Sequence, residues 1–178
     1  MLMDENLDFL LELTAREQSS IWLPAYQKQA IKLNDNPRHL VYAMRASGRG
    51  EALKPLFDAL KEGRLPAEDA AAALALAGDV ADAAQAAQMI ALAKDPALAA
   101  HLDGILDALV KAGNTRGIIP KDAEAAVTAW LADTRAEVVH RATLLAGAWK
   151  AESARATLEG ILTADTTAPP VREGAMQG

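Results

Sequence analysis

The chain alternates short apolar groups with polar ones at helical spacing almost from end to end, and brief breaks carrying Pro, Gly, Asn or Asp divide it into about ten segments. Leu7, Leu10, Leu11 and Thr14 share one face of a helix predicted from about Asp4 to Ser19. A second runs from about Ile21 to Leu33 with Trp22, Leu23, Tyr26 and Ala30, and accepts Pro24 in its first turn. Pro37 to Ser47 forms a third, stopped by Gly48. "EALKPLFDALKEG" then places Leu53, Leu56, Phe57 and Leu60 at i, i+3, i+4 and i+7, the strongest amphipathic match in the chain. An alanine-rich pair follows, about Pro66 to Ala77 and Val80 to Lys94. A longer helix from Pro96 to Ala112 carries the stripe Leu98, Leu102, Ile105 and Leu109. Gly113 to Pro120 reads as irregular. Helices from about Lys121 to Ala132, Ala136 to Lys150 and Glu152 to Ala164 complete the pattern, and Pro169 opens another.

Alternate helices start near residues 4, 37, 66, 96, 135 and 169, so the repeating unit is a helix pair of roughly 30 to 39 residues. The first helix of a pair tends to follow a proline and to carry an apolar residue, a spacer and then a small residue, as in "NPRHLVYAMRASG", "DPALAAHLDGIL", "DTRAEVVHRATLLAG" and the closing "APPVREGAMQG". This predicts an all-α chain: an α-solenoid of about five antiparallel helix pairs, HEAT-like, forming one domain over 1–178. Residues 166–178 are expected to be the truncated start of a further repeat. That tail is expected to be irregular, leaving Leu158, Ile161 and Leu162 as apolar surface. Stacking is energetically required, because burying the four large side chains from Leu53 to Leu60 gives on the order of 6 to 12 kcal/mol. Ordering their helix costs roughly 1 to 2 kcal/mol per residue.

Composition sharpens the picture. Of 178 residues, 51% are hydrophobic but only 4% aromatic, and the apolar content is mostly Ala and Leu, which suits close helix packing over sheets. The 24 acidic and 18 basic residues leave a net charge of -6 with no Lys/Arg run, so nucleic acid is not an expected partner. With no cysteine there is no disulfide, thiolate metal site, Cys nucleophile or thioether haem attachment within these residues. The opening "MLMDENLDFLLELTARE" lacks the basic start and unbroken apolar run of a signal peptide. No apolar stretch is long enough for membrane insertion.

Candidate chemistry is sparse. His39, His101 and His140 fall in different repeats without a second ligand at i+4, so no metal site is expected. Glu68 with Asp69, and Asp79 with Asp82, sit near helix starts where capping accounts for them. Ser19, Ser20, Ser47 and Ser153 lack a nucleophile elbow, and "ASGRGEAL" lacks the spacing of a phosphate loop. No catalytic, cofactor-binding or metal-ligating residue is assigned, and no cofactor is expected. Trp22, Trp130 and Trp149 raise an alternative, a HEAT-like nucleic-acid-binding enzyme of the DNA glycosylase type, but wedging between helix layers explains them more simply. The second helix of each pair usually lines the inner curve of such arrays. Lys28, Lys54, Asp58, Lys61 and Glu124, which fall off the apolar stripes, are therefore the candidate interaction surface.

The segments "LDFLLELTARE", "IWLPAYQKQAIKLNDNPRHLVYAMRASGRGEALKPLFDALKEGRLPAED" and "VREGAMQG" resemble the helical-repeat region of the PVC-type haem-binding proteins, a group also described as membrane-bound dehydrogenases. The likeness is best over Leu7 to Asp69 and returns around "HRATLLAGAWK". It implies a multidomain exported redox protein in which a propeller precedes the helical array and a cytochrome domain with a CxxCH motif follows it. This chain has neither a CxxCH nor strand-rich propeller sequence, so no haem or quinone residue carries over. The resemblance implies a non-catalytic scaffold or spacer, extracytoplasmic in setting, whose partners are proteins or neighbouring domains.

Overall fold

A computed structural model describes residues 5–32, 36–164 and 168–177. Among them are eleven α-helices and three short 3-10 turns, and no strand. The chain divides into two compact units, Met1–Val80 and Ala81–Gly178.

The first unit contains α1 (Glu5–Glu17), α2 (Ser19–Gln27), α3 (Pro37–Ser47), α4 (Leu53–Lys61) and α5 (Ala67–Val80). Helix α3 starts and stops where the pattern predicts. The Asn36 side chain accepts the Arg38 N–H at 3.0 Å, Pro37 occupies the first turn, and Gly48 ends the helix in the left-handed region at φ 59°. Leu53, Leu56, Phe57 and Leu60 of α4 are all buried, and Leu40, Val41 and Met44 of α3 join the same core. Helix α3 packs on α1, α4 and α5, so a first-of-pair helix touches both its own partner and the next first helix. Helix α2 ends at Gln27 rather than near Leu33. Gln29 adopts φ 59°, its N–H reaches the Tyr26 carbonyl, and the Ala30 N–H reaches Ala25, closing a Schellman-type end. A left-handed glutamine carries no compositional signal; Leu33, the predicted last residue of the helix, lies outside the described residues.

The second unit comprises α6 (Ala83–Ala93), α7 (Leu102–Arg116), α8 (Ala123–Leu131), α9 (Ala136–Ala148), α10 (Arg155–Thr163) and α11 (Pro169–Gln177), with 3-10 turns leading into α7 and α10. Met89, Ile105, Leu106, Leu109, Val127 and Leu145 are among its deepest large side chains. Trp130 and Trp149 are buried with ring centroids 6.4 Å apart, so both tryptophans wedge between helices as the pattern suggests. Helix α9 packs on α7 and α11 as α3 packs on α1 and α5, but its other neighbour is α8 of the preceding pair, where α3 has its own partner α4.

Further predicted boundaries move. The helix predicted from Pro96 opens with a 3-10 stretch, Pro96–His101, and becomes α-helical only at Leu102. The break expected near Gly78 falls instead after Val80, because Asp82 and Gln85 form a reciprocal capping box that starts α6, and Gly78 is buried within α5. The stretch from Gly113, expected to be irregular, continues α7 to Arg116 and stops at Gly117 with φ 64°. A Cβ on Gly113 would lie 2.9 Å from Ala148 Cβ and 3.2 Å from Trp149 Nε1, so this glycine is a packing residue. Residues 169–177, expected to be irregular, form α11, which docks on α9 and α10 and buries Val171, Gly174 and Ala175. Positions 166, 167 and 178 of that predicted tail lie outside the described residues. Leu158 and Ile161 are half-buried, Leu162 is exposed, and α10 has no fully buried residue.

Gly113→Ala and Gly160→Ala should therefore act in opposite directions. Alanine at Gly160, where a Cβ meets nothing within 4 Å, is expected to stabilise α10 by roughly 0.5 to 1 kcal/mol. At Gly113 the same propensity gain is opposed by overpacking worth about 1 to 3 kcal/mol. Denaturant unfolding of the two variants checks the contrast; a stabilised Gly113→Ala would show that the α7–α9 contact is loose.

Candidate functional site

Helix α2 closes early, the N-cap at Asn36 starts α3, and the space left beside α4 is an open cleft of about 690 Å³. Tyr26, Ile31, Pro37, Leu40 and Pro55 give it apolar walls, and Lys32, Lys54, Asp58, Glu62 and Arg64 give it charge of both signs. Lys54 Nζ donates to Asp58 Oδ2 at 2.9 Å, one helical turn away, and Arg64 pairs with Glu62. Exposed pairs of this kind contribute little to stability, so they are free to exchange partners with a charged ligand. The size lies within the range of small-molecule ligand sites.

Of the residues singled out from sequence, Lys54 and Asp58 share this cleft. Lys61, the last residue of α4, and Lys28, the C-cap of α2, are exposed nearby in sequence but do not line it. Tyr26, Lys32, Asn36, Glu62 and Arg64 were not legible as site residues. Their convergence depends on where α2 ends, and a left-handed Gln29 has no sequence signature.

Glu124 belongs to the second unit and has a structural partner. Its carboxylate accepts the Ser153 N–H at 3.1 Å and the Ser153 hydroxyl, tying α8 to the turn that leads into α10. Those hydrogen bonds, the hydroxyl first, hold its pKa below the usual carboxylate value. Asp133 is also held low, at about 2, by the Arg135 guanidinium and backbone N–H at the start of α9. Arg141 bridges α9 to α7 through Asp107 at 2.6 Å and Asp103 at 3.5 Å, and these acids raise its already high pKa.

Both depressed carboxylates contribute stability above their unfolded pKa, near 4, that is lost as pH falls through the folded value. For Asp133 the loss runs from about pH 4 to about pH 2. Asp133→Asn should flatten the acid limb of a stability-versus-pH curve in that window. An unchanged limb would place the stabilising proton linkage elsewhere.

His39 is exposed, and His140 Nδ1 contacts the Pro170 carbonyl oxygen at 2.7 Å, a helix-docking contact. Among the described residues no group of three or more His, Asp or Glu is placed to hold a metal ion. Nor is any helix among them long and apolar enough to cross a membrane. No protein-family model matches the chain, and no curated protein or solved structure matches it either.

Proposed function

We propose that this chain is a non-catalytic helical-repeat module, a HEAT-like α-solenoid segment of about five pairs that serves as a spacer and protein-interaction surface. The observation that carries the reading is the packing of each first-of-pair helix on the next within a unit: α1 on α3, α3 on α5, α7 on α9, α9 on α11. Helix-pair arrays stack in this way, burying a continuous core between neighbours and leaving the second helices to present side chains outward. Helix α11 then corresponds to the first helix of a sixth pair. The cleft beside α4, with its exchangeable ion pairs and apolar walls, suits a polypeptide segment of mixed charge. By resemblance, the parent is an exported PVC-type haem-binding protein, and the partners are its propeller and cytochrome domains. The redox chemistry would then belong to those domains.

The test combines assay and crosslinking. The whole chain is examined for a Soret band, dye-linked dehydrogenase turnover and retardation of duplex DNA at low salt, and is crosslinked through lysine to separately expressed PVC-type propeller and cytochrome domains. Crosslinks through Lys54 or Lys61, with no turnover, are expected. A haem band, turnover or a shifted DNA band sinks the proposal, and the DNA band would favour the glycosylase-type alternative.

A further inference from the structure

The charged edge of the cleft beside α4 is a ladder. Lys54, Asp58 and Glu62 recur every fourth residue along α4 and its C-cap, all three line the cleft, and the Glu62 N–H still donates to the Asp58 carbonyl, so helical spacing holds to the end. At about 1.5 Å per residue the rungs stand about 6 Å apart. The third rung carries a base as well, because Arg64 Nε is held on the Glu62 carboxylate. Each rung has capacity to spare: Lys54 gives Asp58 one of three N–H donors, Asp58 is engaged through one oxygen, and Arg64 uses only Nε of its fork. Lys54, Asp58 and Arg64 therefore present plus, minus and plus in order. The stretch from α2 to α3 brings Tyr26, Ile31 and Pro37 to the same cleft, with Ile31 39% exposed, and Lys32 adds a further base.

Spacing, volume and charge select the occupant. An extended segment sets side chains of one face about 6.7 Å apart, close to the repeat of the ladder, so its residues i, i+2 and i+4 meet the three rungs in turn. Spanning the ladder takes about 13 Å of extended chain, which at strand and sheet spacings of about 4.8 and 10 Å fills about 600 Å³. A helix over the same span, about 10 to 12 Å across, fills on the order of 1000 Å³. The cleft offers about 690 Å³. Intervening side chains turn the other way, and the Tyr26 and Ile31 wall suits apolar ones. The Asn36 amide NH₂, whose oxygen already accepts the Arg38 N–H, supplies a donor for the backbone of the segment. We propose that this cleft takes an extended segment of a partner protein with the pattern acid-x-base-x-acid, where x is apolar. This rests on the reading of the chain as a protein-interaction module and names the chemistry of what the cleft binds.

The probe is a labelled peptide carrying Glu-Val-Lys-Val-Glu between Gly-Ser flanks, titrated with the whole chain at physiological salt and followed by anisotropy. Glu-Val-Glu-Val-Lys, of the same composition, is the comparison. Saturable binding of the first is expected, about tenfold tighter than the second, although both peptides share the sign of the chain's net charge. Lys54→Glu combined with Asp58→Lys inverts two rungs and keeps an i, i+4 pair, so it should reverse the preference. The circular dichroism spectrum should not change, since both side chains are exposed. Ile31→Ser should weaken both peptides about tenfold. No saturable binding, equal binding of the two peptides, or a preference that survives the double substitution would overturn the proposal. Binding untouched by Ile31→Ser would place the segment outside the cleft and overturn it too. So would tighter binding of an alanine-based helix with the same charges at i, i+4 and i+8, which would make a helix the occupant. A dimer in sedimentation that the double substitution dissolves would seat a second copy there instead. The expected preference without the domain crosslinks faults only the parent-protein reading, and crosslinks without the preference fault only this cleft.

Discussion

Phe57→Ala should lower stability by about 3 to 5 kcal/mol, the largest single-residue effect expected in the first unit. The ring is 6% exposed, and it shares the buried face of α4 with Leu53, Leu56 and Leu60. Helix α4 packs on both α3 and α5, so removing the ring leaves a cavity bounded by elements that are themselves held in place. Alanine favours the helix slightly, which means the loss reports packing and not propensity. Lys54→Ala on the same helix removes only an exposed ion pair with Asp58 and should change stability by less than about 1 kcal/mol. Hydrogen exchange of α3, α4 and α5 amides, alongside denaturant unfolding, is the appropriate measurement because the chain has two compact units. A loss below about 1 kcal/mol for Phe57→Ala would mean that α4 does not face its neighbours as described.

Phe57 also shows which part of the fold was legible in advance. Periodicity located α3 to the residue and placed the α4 core correctly, because Asn36, Pro37 and Gly48 are strong local stop and start signals and four large apolar residues lie on one stripe. It also found the starts of alternate helices, near Glu5, Pro37, Ala67, Ala136 and Pro169. Boundaries failed where a tertiary contact overrides a local rule. Gly78 and Gly113 look like breakers, yet both are buried within helices, and what Gly113 packs against lies more than thirty residues away in sequence. The cleft itself was not legible: Lys54 and Asp58, singled out as charges off the apolar stripe, line it, but the Tyr26, Asn36 and Arg64 walls follow from chain geometry between helices. Glu124 illustrates the opposite limit. Its position off the stripe marked it as a candidate for the interaction surface, and it is exposed, but its carboxylate also accepts the Ser153 N–H, a partner that spacing does not reveal.

Gly174→Val should undock α11 from α9. A Cβ at this position would collide with the Thr143 side chain and lie 3.0 Å from His140 Nδ1 and 3.3 Å from the His140 carbonyl oxygen. Thr143 cannot move aside easily, because it is fully buried, stiff at its branched carbon, and donates its hydroxyl to the His140 carbonyl at 2.6 Å. Against that clash α11 offers little attraction: Val171 and Ala175 are its only buried side chains, and burying a valine gives roughly 1.5 to 3 kcal/mol. Overpacking typically costs about 1 to 3 kcal/mol for an added methylene or two, and valine adds three carbons against a backbone contact, so the balance tips toward release. Release would also break the His140 contact with the Pro170 carbonyl and the Arg172 hydrogen bond to Ala164 at 2.8 Å. The expected result is loss of hydrogen-exchange protection over Val171 to Met176, with the amides of α3 and α4 unchanged. Met176→Ala, at an exposed position on the same helix, should leave the protection intact. If Gly174→Val kept α11 protected, the close approach of α11 to α9 through Gly174 would be wrong, and with it the assignment of α11 as a first-of-pair helix stacked on its predecessor.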